Sequence, residues 1–356
     1  MHINPYLFIL PRSPDQIVWN YKNHAQYQLD PEYARRLAQL IENPNHFDKN
    51  NTIDAQFATA GILTCSKIET PDWGWDELSK IFHIGTRDIP FESPPQSVED
   101  WSRQYLQHCD EVLTTAAPES RRSTTTEHIR LPAAGVLKHD TLASALLRRK
   151  TCRSFTDSPL ALGDVSTLLY LSLGYLHERD ADRDDSIAPG LGARRSSPSG
   201  GGLNACEGFV LVQNVAGLAP GLYAYHPAEH SLSPVSPLPD VALGQLLCGQ
   251  HFINNLPLGL FITARFDRLW WKYPHSRAYR MALVEAGHIS QTFQLVATAL
   301  GLRTWLTGAL ADSQVEALLQ LQDSAEEPLF FVGCGESDGQ AMCREMHDLL
   351  REQRQS

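Results

Sequence analysis

Arg194-Arg195-Ser196-Ser197-Pro198-Ser199-Gly200-Gly201-Gly202-Leu203-Asn204 is the most telling stretch of this 356-residue chain. Three consecutive glycines after Pro-Ser let backbone N–H and C=O groups come close to a flat ligand, because no Cβ intervenes, and Ser199 adds a small donor and acceptor. A flexible surface loop accounts for the same residues, and the spacing is not the G-x-G-x-x-G of dinucleotide-binding folds. Glu207, just beyond, reads as the start of a strand with a structural role.

Upstream lies Arg148-Arg149-Lys150-Thr151-Cys152-Arg153-Ser154-Phe155. Four cations and two hydroxyls within seven residues form a local anion receptor. Guanidinium forks and a hydroxyl suit a phosphate, and a following Arg can reach an adjacent polar ring. A basic helix C-terminus that complements the macrodipole explains the cluster as well. Downstream, Trp270-Trp271-Lys272-Tyr273-Pro274 sets a lysine among three aromatics. Such surroundings suit a lysine that works as a general base, with Tyr273 donating or relaying a proton. A lysine that snorkels into water past an aromatic cluster is the plainer reading.

Around these segments the periodicity predicts an α+β domain. Asp140, with Leu142, Ala145, Leu146 and Arg149 at helical spacing, starts one helix, and Asp164, with Val165, Leu168 and Leu169, starts another. Gly208 to Val212, Gly221 to Tyr225, Leu258 to Phe266 and Pro328 to Val332 read as strands. Ala278 to Leu300 is the longest helix, ended by Gly301. Ser313 with Glu316 forms a capping box for a helix through Leu321. Several strands without βαβ alternation, and one long apolar helix, imply a central, mostly antiparallel sheet flanked by helices.

Residues 1–90 read as a separate, winged-helix-like α+β extension. Tyr6 to Leu10 and Gln16 to Trp19 are strand-like. Asp30-Pro31 starts a helix with Tyr33, Leu37, Leu40 and Ile41 on one stripe, and a helical piece follows around Ile53 to Ile62. DNA binding, the usual association of that shape, is opposed by charge. Residues 1–130 hold 12 Lys plus Arg against 18 Asp plus Glu, and the whole chain 30 against 41, a net −11. Residues 91–135, with Pro94-Pro95 and the polar run Ser120 to Glu127, read as a linker, which leaves 136–356 as the catalytic domain. Hydrophobic residues make up 42% of the chain, enough for a substantial core. No apolar run long enough to span a bilayer and no secretory signal are evident, so the expected location is cytoplasmic, with neither membrane nor nucleic acid as partner. Seven cysteines without a C-x-x-C point to reduced thiols and no metal site.

Five motifs in register, R-R-x-[ST]-x-R-x-F, R-x-x-P-S-G-G-G-L, G-L-Y-x-Y-x-P, W-K-Y-P with Y-R, and A-G-H-x-x-Q, resemble the FMN-dependent nitroreductase fold. Within it they are most similar to the SagB-type and McbC-type azoline dehydrogenases, which oxidise thiazolines and oxazolines in ribosomally made peptides. The similarity spans about residues 138 to 336. It implies an FMN cofactor, with Arg149, Lys150, Thr151 and Arg153 on its phosphate, ribityl chain and pyrimidine edge. Pro198, Ser199, Gly200 and Gly201 would lie against the isoalloxazine, and Gly308 would supply the backbone donor near flavin N5. Lys272 and Tyr273 match the catalytic pair of the azoline branch. The resemblance also implies a homodimer with two FMN sites drawn from both subunits. A cyclodehydratase and a leader-bearing precursor peptide follow as partners, one of them docking on the N-terminal extension.

The chain departs from the family pattern at several positions. Gly202 stands where many nitroreductases have Asn, with Asn204 two positions on. Thr151 replaces the usual Ser and keeps the hydroxyl, and Glu336 follows Gly335 where Pro is expected. Arg344 is a further candidate for the phosphate, while Arg280 and His288 have helix-packing explanations as well as functional ones. Three other functions stay open. They are an NAD(P)H-dependent FMN nitro or quinone reductase, a dehydrogenase of an amino-acid or carrier-bound intermediate, and a non-catalytic docking subunit. Flavin bleaching by NAD(P)H alone marks the first, and a colourless protein that refuses FMN marks the last.

Overall fold

The first 94 residues build one unit and residues 95–356 another. The computed structural model describes residues 1–70, 72–87, 94–118, 128–137, 141–178, 192–322 and 324–355.

In the first unit, β1 (His2–Ile3) precedes an antiparallel meander of β2 (Leu7–Arg12), β3 (Asp15–Asn20) and β4 (Ala25–Leu29). Asp30 then starts α1 (Pro31–Glu42) as read from the sequence: its carboxylate accepts from the N–H groups of Glu32 and Tyr33, and Pro31 has no N–H to leave unsatisfied. Leu37 and Leu40 are buried against Val18, Leu29 and Phe57, whereas Ile41, placed on the same stripe, is exposed. α2 (Thr52–Thr59), capped by Asn51, leads into β5 (Leu63–Thr64), which pairs with β1, and α3 (Glu77–Gly85) follows. The Arg36 guanidinium grips fully buried Asp54 at 2.6 and 2.7 Å, which pins α1 to α2.

The second unit corrects the linker reading at once. Residues inside 91–135 form a 16-residue helix, α4 (Val98–Leu113), whose N-cap Ser97 accepts from the Asp100 N–H. Its signal is an amphipathic stripe on a polar background, which the neighbouring prolines and polar runs obscured. β6 (Ile129–Arg130), α5 (Leu142–Arg148), α6 (Leu162–Leu173), β7 (Cys206–Val212), β8 (Gly221–His226), β9 (Ser231–Ser236) and α7 (Leu243–Leu246) follow. Then come β10 (Leu258–Arg265), α8 (Phe266–Lys272), α9 (Tyr279–Ala299), β11 (Arg303–Thr307), α10 (Asp312–Leu318), β12 (Glu326–Gly335) and α11 (Arg344–Gln355). Seven strands join in the order β11-β12-β10-β7-β8-β9-β6, every neighbouring pair antiparallel.

Alternation along the two central strands sorts side chains onto two faces. Val210, Leu260 and Ile262 turn to a core shared with Leu168 and Leu169 of α6 and Ile289 and Phe293 of α9. Phe209, Phe261, Trp305 and Phe331 pack on the other side with Leu246 and Val315. Full burial of each such side chain contributes about 1.5–3 kcal/mol, so a sheet covered on both faces is a stiff platform for whatever its edges carry.

Some local expectations change. Asp140 lies outside the described residues, and Thr141 caps α5, accepting from the Ser144 N–H at 3.1 Å. Leu142 and Leu146 of the helical stripe are 68% and 53% exposed in a single chain, whereas Ala145 on the same stripe is buried. Ser313 sits inside α10, which has no side-chain cap. Gly301 does end α9, with φ +86°. Among the described residues, all seven cysteines are free, and no helix is long and apolar enough to cross a membrane.

Candidate active site

Lys272 is the last residue of α8. Pro274 stops the helix because it disfavours helical backbone at the residue before it, and Tyr273 is accordingly extended at φ −122°, ψ 88°. The side chain does not snorkel: Lys272 is only 3% exposed, while Trp270 carries the exposed face. Lys272 Nζ donates to Tyr105 Oη at 3.2 Å and to the Gly201 carbonyl at 3.4 Å, between the rings of Tyr105 and Tyr273. Among the described residues it has no carboxylate partner. Burial pushes the Tyr273 phenol above its ordinary range, opposed by the nearby Lys272 charge, so it stays protonated at neutral pH as a hydrogen-bond donor.

The triple-glycine loop meets this pair directly. Gly201 has φ +62°, and a Cβ there would collide with Tyr273 Oη and stand 3.2 Å from Lys272 Nζ. Only glycine allows that approach. The rest of the loop lies along one face of α9. Gly200 packs on Met281, Ser199 Oγ donates to Glu285 at 2.6 Å, the His288 ring donates to the Pro198 carbonyl at 3.3 Å, and Ser197 pairs with Thr292. Positions 281, 285, 288 and 292 form one helical stripe. Asn204, the displaced asparagine, donates to main-chain carbonyls of Ala193 and Gly202 and so braces the loop.

Behind the loop is a charge network that the sequence did not announce. Arg195 lies between Glu207 at 3.8 Å and Glu285 at 4.0 Å, and Arg268 reaches Glu207 at 3.3 Å. All four residues are buried, two cations against two anions. Glu285 also accepts from the Cys206 N–H at 3.0 Å, so one carboxylate ties the loop to the first residue of β7. The single clue was a lone acid in the apolar run Leu283-Val284-Glu285-Ala286. A cavity of about 840 Å³, within the range of small-molecule sites, opens between this loop, Lys272 and the face of α4 carrying Leu106, Cys109 and Leu113.

The arginine-rich turn lies elsewhere in the same chain. Arg149 caps the end of α5 and reaches Gln294 at 3.4 Å, Thr151 bridges to Thr304, and Arg153 donates to the Ala341 carbonyl at 2.8 Å. Lys150 passes Gly339. Gln294 is nine residues beyond Glu285, which along a helix is about 14 Å and half a turn round. The turn and the glycine loop therefore contact opposite faces of α9. Gly308, just past β11, packs beside the Phe330 ring. Among the described residues Arg344 forms an exposed pair with Asp348, and the main chain of Glu336 accepts from the Thr156 N–H.

The residues present suit the phosphate of a flavin nucleotide: Arg149, Lys150 and Arg153 form no ion pair among the described residues, which leaves their charge available to a phosphate, whereas the space a Cβ on Gly201 would take is already held by Tyr273 Oη and Lys272 Nζ. Among the described residues no group of His, Cys, Asp or Glu is arranged to hold a metal.

An antiparallel sheet under one long helix, with a glycine loop facing a buried lysine across a small-molecule cavity, defines the class as an α+β domain with an enclosed site. Residues 146–336, more than half of the chain, match the nitroreductase family, and the chain belongs to that family. It is 30% identical over 214 residues to the Methanocaldococcus jannaschii protein MJ1384, covering 59% of this chain and 96% of that one. It is 32% identical over 142 residues to the microcin B17-processing protein McbC of Escherichia coli, covering 38% of this chain and 52% of that one. A crystal structure from Anabaena variabilis ATCC 29413 shares the fold, with a TM-score of 0.53 at 21% identity over 77% of this chain and 49% of that one.

Proposed function

We propose that this chain is an FMN-dependent dehydrogenase that converts azolines to azoles in a ribosomally made peptide. The observation that carries the reading is Lys272, buried and held at the Gly201 carbonyl, with the Tyr273 hydroxyl crowding the same glycine beside it. The similarity to McbC, a processing protein of a peptide microcin, supports a modified peptide as the substrate.

Arg149, Lys150, Thr151 and Arg153 would hold the phosphate and ribityl end of FMN, with Pro198 to Gly201 against its ring and Gly308 as a backbone donor. Bound there, FMN supplies a two-electron acceptor. Lys272 takes the proton that leaves the azoline ring carbon, and the Tyr273 hydroxyl steadies the polar ring atom beside it. The alkaline range of Tyr273 keeps that hydroxyl a donor throughout.

Because the cationic turn and the glycine loop contact opposite faces of α9, a ligand touching both draws on two copies of the chain. Leu142, Leu146 and Leu147 of α5 and Met281, Leu283 and Val284 of α9 are exposed, apolar material for a homodimer contact. A cyclodehydratase and a leader-bearing precursor would act upstream, since an azoline has to be made before it is oxidised, and the first unit would dock one of them.

The test is mass spectrometry of an azoline-containing peptide incubated with the flavin-loaded protein. The native chain should remove two hydrogens per ring, and Lys272→Ala should retain flavin while leaving the peptide mass unchanged. A Lys272→Ala variant with full activity would remove the proposed base.

A further inference from the structure

α4, the helix hidden in the apparent linker, and Thr115 just past it hold the Trp271-Lys272 segment at three points. Tyr105 Oη accepts from Lys272 Nζ at 3.2 Å. Three residues on, the His108 ring donates to the Lys272 main-chain carbonyl at 2.8 Å. Just past the helix, Thr115 Oγ1 accepts from Trp271 Nε1 at 3.0 Å. Tyr105 and His108, three apart on one face of α4, and Thr115 beyond its end all meet the Trp271-Lys272 segment.

The neighbouring positions line the cavity: Leu106, Cys109, Asp110, Val112 and Leu113 all border it. Trp101 stacks on Tyr105 with ring centroids 5.2 Å apart and planes 6° from parallel, which fixes the plane of the phenol. A buried amine with two oxygen acceptors and, among the described residues, no carboxylate partner has its direction set by those two acceptors. One is the Gly201 carbonyl, whose place is fixed by the glycine loop; the other is the Tyr105 hydroxyl.

We propose that Tyr105 is a positioning residue that aims the Lys272 amine into the cavity, and that α4 is the clamp and substrate-side wall of that site. The proposal rests on the functional reading above for its catalytic consequence, but the clamp itself is a property of the chain. Tyr105 borders the cavity but acts through its hydrogen bond to the lysine, so the loss of its hydroxyl should slow turnover far more than it weakens substrate binding.

Two measurements on the full-length protein separate the clamp from the chemistry. The first follows acetylation of Lys272 by a water-soluble amine reagent, read by peptide mass spectrometry, in the native chain and in Tyr105→Phe, which keeps the ring and the stack on Trp101. Freed of one acceptor, Lys272 should be labelled about threefold faster or more, with the labelling of exposed Lys67 and an unchanged thermal midpoint as references. The second measures azoline oxidation: Tyr105→Phe should lower kcat about tenfold or more and leave KM within about twofold.

An unchanged Lys272 labelling rate overturns the clamp. Faster labelling with an unchanged kcat overturns the catalytic role. If the native chain oxidises no azoline, the labelling arm still decides the clamp while the functional reading fails by itself. Should Tyr105→Phe not fold, 3-fluorotyrosine placed at position 105 gives a fluorine resonance that must shift when Lys272 is replaced by Met. A resonance that stays put overturns the contact.

Discussion

Gly201 and Lys272 are joined through main chain and amine: the carbonyl of the one accepts from the Nζ of the other at 3.4 Å, across a loop that only glycine can make this tight. The contact couples two sequence segments 71 residues apart, and it makes the loop's backbone geometry part of the lysine's chemistry.

Gly201→Ala tests that coupling. An alanine would adopt a left-handed backbone and push its Cβ into Tyr273 Oη. Displacement of about 1 Å at such a site is expected to lower turnover by about 100-fold. Gly217→Ala is the matched control, with φ +82° and open space around the Cβ. Both variants should lose about 1–2 kcal/mol of stability from the backbone alone, and only Gly201→Ala should lose activity. Equal activity in the two would show that the Tyr273 contact is dispensable.

Glu285 carries the loop, the Cys206 N–H and the charge of Arg195 together. Glu285→Ala leaves a buried guanidinium without one of its counter-charges and frees Ser199. Denaturant unfolding should show a loss of about 3–5 kcal/mol, with flavin retention reduced as the loop loosens. A loss under about 1 kcal/mol would mean the network is not holding the loop.

The first unit should respond to acid through Asp54. The Arg36 hydrogen bond holds this carboxyl below the usual range, against the upward push of burial. A depressed folded value adds stability that is complete above the unfolded value of about 3.9 and disappears as pH falls through the lower, folded one. Asp54→Asn should therefore flatten the fall of stability below about pH 4 and lower the plateau at neutral pH. Parallel pH profiles for the native chain and the variant would contradict this assignment.

The two faces of α9 predict complementation between subunits. Arg149→Ala and Lys272→Met are each expected to be inactive. Co-refolded in equal amounts, half of the dimers should be mixed and each mixed dimer should own one intact site, which returns activity to about a quarter of the native value. No recovery would place the turn and the lysine in a site built from one chain.

Legibility in the sequence followed local chemistry. The Asp30-Pro31 start of α1 and the Gly301 end of α9 were readable because cap preferences act over a few residues. The glycine loop and the Lys272-Tyr273 pair stood out for the same reason, as unusual residues at short spacing. α4 was passed over although its stripe is amphipathic: it lies between Pro95 and a proline-containing polar run, and the α8 residues that its stripe meets stand 164 residues away or more. The Arg195, Glu207, Arg268 and Glu285 network was hidden too, because ion pairs between a loop, a strand and two helices leave no periodic trace. The outward-facing leucines of α5 followed the helical period correctly, yet the period could not say whether a core or a second copy would cover them.

The central claim is that electrons pass from an azoline ring to a flavin held beside Lys272. It is tested most directly by anaerobic titration of the purified, flavin-loaded protein with a thiazoline peptide, read by visible absorbance and peptide mass together. The account predicts that the peptide bleaches the flavin band stoichiometrically and loses two hydrogens per ring, that NAD(P)H alone bleaches it far more slowly, and that Lys272→Ala shows neither change with the peptide. Rapid bleaching by NAD(P)H with an unaltered peptide, or a colourless protein that takes up no FMN, would contradict it.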